Sequence, residues 1–166
     1  MPRYDIPKAA PQPLREVQLL INSVDLHAGT DWIEEWLAER GLEPGEAARA
    51  RRLREALREL VLANNGGEVG PEALATVNEA AARLRLRVDA RAALAVEAGG
   101  GDALDRVVAI ALAAMLDGSF ARLKACRNCR WSFYDYSPNR SATWSSMQIC
   151  GNRRKTRAYR ARRGAA

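Results

Sequence analysis

Cysteine and histidine are scarce in this chain of 166 residues, which holds three cysteines and one histidine, His27. An odd number of cysteines, two of them only three positions apart, does not make the disulfide framework of a small secreted domain. His27 has Asp25 near it in sequence but no nucleophile set beside it, so the pair reads as structural and the chain as no enzyme. Long apolar runs are also missing. The longest, from Val107 to Leu116, is about half of the roughly 20 residues that cross a bilayer. The N-terminus has no apolar stretch behind a basic start, so it carries no secretory signal pattern. These absences lead us to expect a cytoplasmic protein. An apolar fraction of 48% is enough for a packed core, which argues against disorder.

Acidic residues are nearly missing from one end. From Arg122 onward there are twelve Lys or Arg and one acid, Asp135, a balance of +11. Residues 1–121 carry fourteen bases and nineteen acids, a balance of −5. Such asymmetry points to a polyanion-binding segment on an otherwise acidic unit. The bland alternative is a solvated basic tail, although charge of this density repels itself without a counter-charge.

What is present reads mainly as helix. Residues 1–13 hold four prolines and should form an irregular leader. Val17, Leu20, Ile21 and Val24 give helical spacing over 14–24, broken by the stretch from Asn22 to Gly29. Thr30 and Asp31 can cap a helix over 32–40, with Trp32 and Trp36 on its buried face. Ala50, Leu53, Leu57, Leu60 and Val61 form one stripe of a helix over 45–64, with Arg51, Arg52, Arg54, Glu55 and Glu59 on the other face. Asn64-Asn65-Gly66-Gly67 ends it, and Pro71 opens the next helix, to about Ala82. The period then drops to two: Leu84, Leu86 and Val88 pair with Leu94 and Val96 in a hairpin with one buried face. Asp102 caps a helix that should run to Lys124 and, being apolar nearly all round, lie at the centre. Gly99-Gly100-Gly101 before it lacks a phosphate-loop lysine and reads as a hinge. The expected fold is mainly α with one β-hairpin near 84–97. A helical N-terminal domain, 1–121, precedes a small treble-like or ribbon-like module, 122–166, that ends in a basic helix.

Cys126 and Cys129 have the spacing of a metal knuckle, in which a tight turn aims two thiolates at one ion. Their flanks, Arg127, Asn128 and Arg130, are polar. Thiolate-rich sites select zinc or iron–sulfur; free thiols and a disulfide are the alternatives. Cys150 lies far enough along to close such a site. Residues 150–163 read as a helix basic on nearly every face, suited to phosphate contacts. Arg153, Arg154, Lys155, Arg157, Arg160, Arg162 and Arg163 would position it on a backbone, and Asn152 and Tyr159 would face or stack on bases. No opposed apolar face favours a membrane.

The tail resembles the CGNR-type zinc finger. The resemblance lies in Cys126-x-x-Cys129-Arg-Trp131-Ser-Phe133-Tyr134-Asp135-x-Ser137, then Trp144-x-Ser146-Met147, then Cys150-Gly151-Asn152-Arg153. Residues 14 to about 120 resemble the ABATE domain that precedes this finger, through Leu20-Ile21-Asn22-Ser-Val24-Asp25, the Gly29-Thr30-Asp31 turn and the late hairpin. The resemblance implies a bacterial, stress-induced transcription regulator that binds DNA. It also implies zinc on Cys126, Cys129 and Cys150. One position departs from the pattern: Ser145 stands where the family's fourth cysteine falls. Three readings follow: a three-thiolate site completed by water or another side chain, a weakened site, or no metal, with Trp131, Phe133 and Trp144 holding the finger by packing. DNA is favoured over RNA as partner. The alternative function is a sensor of a small molecule or partner protein, with a pocket among Val17, Ile21, Trp32 and the central helix.

Overall fold

Apolar side chains at Val17, Leu20 and Ile21 give the first helix, α1 (Arg15–Ile21), one fully buried stripe. A computed structural model describes residues 8–91 and 93–152 of the chain. Helix α1 stops at Asn22, short of the expected residue 24, because Asn22 turns its side chain inward to a distant strand. Val24 instead joins a two-residue ladder, β1 (Val24–Asp25) with β2 (Thr30–Asp31). The turn between them carries His27, exposed, with its backbone N–H on the Asp25 carboxylate at 2.8 Å.

Helix α2 (Ile33–Ala38) buries Ile33, Trp36 and Leu37. The expected pairing of Trp32 with Trp36 on one buried face holds only for Trp36; Trp32 sits at the N-cap, half-buried against the same core. A 3-10 turn, Pro44–Glu46, leads into α3 (Ala47–Ala63), where Ala50, Leu53, Leu57 and Val61 are buried as their spacing predicts. Arg54 was expected on the outer face and is buried instead. It is drawn in by the Asp31 carboxylate at 2.7 Å and the Ser23 hydroxyl at 3.3 Å, which replace the water it loses. Burial pushes Asp31 up, but Arg54 and Arg51 outweigh it and hold its carboxyl at about 2.

Helix α4 (Pro71–Ala81) begins on its proline as expected. The expected hairpin forms from β3 (Leu84–Val88) and β4 (Leu94–Ala98), with Leu86 opposite Val96 and Val88 opposite Leu94. Its apolar face is not buried as expected: Leu86 is 67% and Val88 72% exposed. Only the base of the ribbon, Leu84 with Val96 and Ala98, is half-buried, beside α5 (Ala103–Leu116). Towards the tip, Val88 and Leu94 are exposed.

Asp102 caps α5 by accepting the Asp105 N–H at 2.7 Å. Its carboxylate also pairs with Arg49 at 2.8 Å, so the anion at this helix start is the chain's own. Helix α5 packs against α1, α4 and β4 and buries Leu104, Val107 and Val108 completely or nearly so, but Leu116 is 62% exposed, so the helix is not enclosed all round as expected. It does not reach Lys124. Gly118, at φ +79°, stops it, a 3-10 turn follows (Ser119–Arg122), and Leu123–Ala125 is strand β5. The same hydrophobic core that encloses Trp36 and Leu104 continues into Leu123, Ala125 and Tyr134. Among the described residues, helices and three small antiparallel ladders make the fold mainly α.

Candidate metal centre

Strand β5 pairs with β6 (Ser132–Tyr134), Lys124 opposite Phe133, and between them the chain makes the knuckle. The Cys126 N–H donates to the Trp131 carbonyl at 2.8 Å, and the Arg130 N–H donates to the Cys126 carbonyl at 2.9 Å. Arg130 takes φ +64°, an uncommon conformation for a side chain of its size. The tight reversal brings the Cys126 and Cys129 thiols together. The third cysteine arrives on a π-helical turn, Met147–Gly151, whose start is capped by the Ser146 hydroxyl accepting the Ile149 N–H. A side chain at Gly151 would lie 3.0 Å from the Met147 sulfur and 3.4 Å from the Trp144 ring, so the position behind Cys150 has little room for one.

The sulfurs of Cys126, Cys129 and Cys150 lie within 4.8 Å of one another. Cys129 and Cys150 are 3.6 Å apart. A tetrahedral ion bonded at about 2.3 Å to each sulfur sets them about 3.8 Å apart, so the triad fits one metal ion. The Ser145 hydroxyl completes the group, 3.5 Å from the Cys129 sulfur and 3.8 Å from that of Cys150. Cys126 and Cys150 are buried, whereas Cys129 and Ser145 are partly exposed.

The surroundings prepare a charged sulfur. A hydrogen bond with Cys129 drives the Cys126 thiol far below the usual thiol range against the opposing effect of burial, helped by the N–H groups of Cys129, Ser145 and Asn128. The same hydrogen bond pushes Cys129 up, and burial adds to it. Backbone N–H groups aimed at sulfur are what a thiolate ligand requires in place of water.

The helices grip this module through buried polar side chains. Asn22 pairs with the backbone of Ser132 as a strand would, accepting its N–H at 2.7 Å and donating to its carbonyl at 2.9 Å. Gln18 adds a second donor to that carbonyl at 3.1 Å. Arg58 donates to the Arg130 carbonyl at 3.0 Å, next to Cys129. Asn65 donates to the carbonyls of Ala125 and Thr143 at 2.8 and 2.9 Å, one beside Cys126 and the other two residues before Ser145. Lys8 ties this module from the other side: the Tyr134 N–H donates to the Lys8 carbonyl at 2.9 Å, and Lys8 Nζ donates to the Trp144 carbonyl at 2.9 Å.

Within the module, Asp135 is the hub. One carboxylate oxygen accepts from the N–H and hydroxyl of Ser137, the other from Lys124 at 2.8 Å and the Ala142 N–H at 3.0 Å. Of the three aromatics expected to hold the finger, Phe133 and Trp144 pack with the cysteines, while Trp131 packs against the helical core.

Cys126, Cys129, Cys150 and Ser145 are thus brought together. Asn152 follows the π-helical turn and is exposed. Arg153, Arg154, Lys155, Arg157, Tyr159, Arg160, Arg162 and Arg163, expected to contact nucleic acid, lie outside the described residues, as does the expected helix over 153–163. Val17 and Ile21, named as lining of a sensor pocket, are fully buried in the packed core. Sequence patterning had passed over Gln18, Asn22, Arg58 and Asn65. The available signal was that Gln18 and Asn22 interrupt or end an apolar stripe, and that Asn65 follows a helix end, where a capping role is the simpler reading.

Among the described residues no helix is long and apolar enough to cross a membrane. No curated protein matches the chain. Residues 122–163 match the model of the CGNR zinc finger, and residues 17–119 match the ABATE family, whose description is "Putative stress-induced transcription regulator". Neither is an enzyme family. With the larger match covering more than half its length, the chain belongs to the ABATE family and carries a CGNR zinc finger behind that domain.

Proposed function

We propose that the protein is a DNA-binding transcription regulator, with residues 122–166 as its binding module and 1–121 as the helical domain that holds the module in place. The observation that carries this reading is the convergence of Cys126, Cys129 and Cys150 immediately before the most basic stretch of the chain. Zinc is the ion the thiol set favours. Bound to these three sulfurs, it would act as a structural cross-link between the knuckle and the turn that leads into the tail. The chain's own residues do the rest. Asn65, Arg58 and Asn22 set the direction of the knuckle, and Cys150 anchors the start of the tail. Arg153, Arg154, Lys155, Arg157, Arg160, Arg162 and Arg163 then neutralise phosphates, with Asn152 and Tyr159 at the bases.

The test is binding of the zinc-loaded full chain to a labelled DNA duplex, followed by fluorescence anisotropy at rising salt. Log affinity should fall linearly with log salt, with a slope of about −0.9 per phosphate neutralised. Affinity that ignores salt refutes the reading. Competition by duplex DNA and by RNA of the same length in one assay decides between the two; displacement by RNA alone would reassign the partner.

A further inference from the structure

Ser145 is the member of the metal group whose chemistry differs from the rest. Its hydroxyl oxygen is within 3.5 Å of Cys129 and 3.8 Å of Cys150, the separations expected between neighbouring donors on one ion. Its backbone N–H also lies against the Cys126 sulfur. A neutral hydroxyl is a far weaker donor to a soft ion than a thiolate. The group is open on this side: Ser145 and Cys129 are partly exposed, while Cys126 and Cys150 are buried. Sites closed by four strong protein ligands are structural, whereas three strong ligands leave a position that outside molecules reach.

We propose that Ser145 closes the three-thiol centre as an exchangeable fourth donor, which a low-molecular-weight thiol from solution can displace. The inference rests on the metal reading above and adds a ligand-binding position to it. In the exchange, the bond between the ion and the Ser145 oxygen breaks and a bond to the incoming sulfur forms. The serine leaves as a neutral hydroxyl, and the incoming thiol gives its proton to solvent. No electron is transferred. The ion stays on Cys126, Cys129 and Cys150, so the finger keeps its cross-link while its charge falls by one unit beside the basic tail.

The experiment uses the full chain loaded with cobalt(II), whose visible and near-ultraviolet absorption reports the number of thiolates around it. The probe is β-mercaptoethanol. For the wild type, the sulfur-to-cobalt band should rise as thiol is added and saturate at one thiol per cobalt. Ser145→Cys should show the stronger band from the outset and not respond. Ser145→Ala should respond at lower thiol concentration than the wild type, because no hydroxyl competes. The proposal is overturned if the wild-type band is indifferent to thiol, if Ser145→Cys responds as the wild type does, or if thiol abolishes the band by stripping the cobalt. A Ser145→Ala protein indistinguishable from wild type also overturns it, by removing Ser145 from the donor set while leaving the three-thiol metal reading intact. Failure of all three proteins to bind cobalt sinks the metal reading itself.

Discussion

The side-chain amide of Asn65, at the end of α3, donates to the carbonyl of Ala125, the residue before Cys126, at 2.8 Å. Its second proton goes to Thr143 at 2.9 Å, so one buried amide ties both arms of the cysteine cluster to the helices. Truncation to alanine strands two carbonyls, each worth about 1–3 kcal/mol when left unpaired in the interior. We expect Asn65→Ala to lower the free energy of unfolding by about 2–3 kcal/mol in urea titrations. Its zinc affinity, measured by competition with a chromophoric chelator, should fall about 10- to 100-fold, as for other groups that orient ligands. An unchanged affinity would mean the cysteines hold their geometry without this tie.

Asp135 makes the protein sensitive to acid. Burial raises its carboxyl, but hydrogen bonds from Lys124 and Ser137 outweigh it and bring it to about 2. A carboxylate depressed in the folded state contributes stability that is complete above its ordinary pKa of about 4. That stability is lost as pH falls towards about 2, and the shift corresponds to about 2 kcal/mol. Asp31 moves the same way, so Asp135→Asn should be less stable than wild type at neutral pH and lose less on acidification. Parallel stability curves for the two proteins between about pH 5 and pH 2 would contradict this assignment.

Trp36 has no exposed surface and lies in the core cluster that runs from α1 to β6. Its ring also carries the Arg40 guanidinium, 4.3 Å from the ring centre. Trp36→Ala leaves a cavity that this packing cannot fill, at a cost of about 3–5 kcal/mol. Because the core includes Ala125 and Tyr134, the loss should appear as one cooperative transition that takes the finger with it. Two separated transitions would argue that the finger unfolds alone.

Arg153 and Arg154 directly follow the cysteine cluster and Asn152. Replacing both with alanine should weaken DNA binding and reduce the salt slope by about 2, near 0.9 for each lost phosphate contact. The drop should be similar for unrelated duplex sequences, since such contacts position the protein rather than read bases. A loss confined to one sequence would reassign these side chains to base contacts.

Local features were legible in the chain itself. Alternation marked the β3–β4 hairpin and the residues that share a face, because a period of two puts Leu84, Leu86 and Val88 on one side with Leu94 and Val96. Pro71 and Asp102 marked helix starts, and Cys126-x-x-Cys129 with Cys150 marked the residues that the fold brings together, because capping acts over a few residues and a knuckle has a fixed motif. Helix ends were less legible: α1 and α5 both stop early, where a distant contact or a turn at Gly118 outweighs apolar periodicity.

What tertiary structure alone decided is where polar groups go when buried. Arg54 looked like a surface residue until Asp31 came within 2.7 Å across a turn. The hairpin's alternating face looked like core, yet Leu86, Val88 and Leu94 on it are exposed. Asn22 and Asn65 looked like helix punctuation and Arg58 drew no reading, yet each proves to hold a finger carbonyl sixty or more positions away. The residue order alone carried the three cysteines, the charge split and the serine at the position of a fourth cysteine. Folding added the side chains of α1 and α3 that tie down the strands beside those cysteines, because hydrogen-bond partners in a buried interface are chosen by distance in space and not by order along the chain.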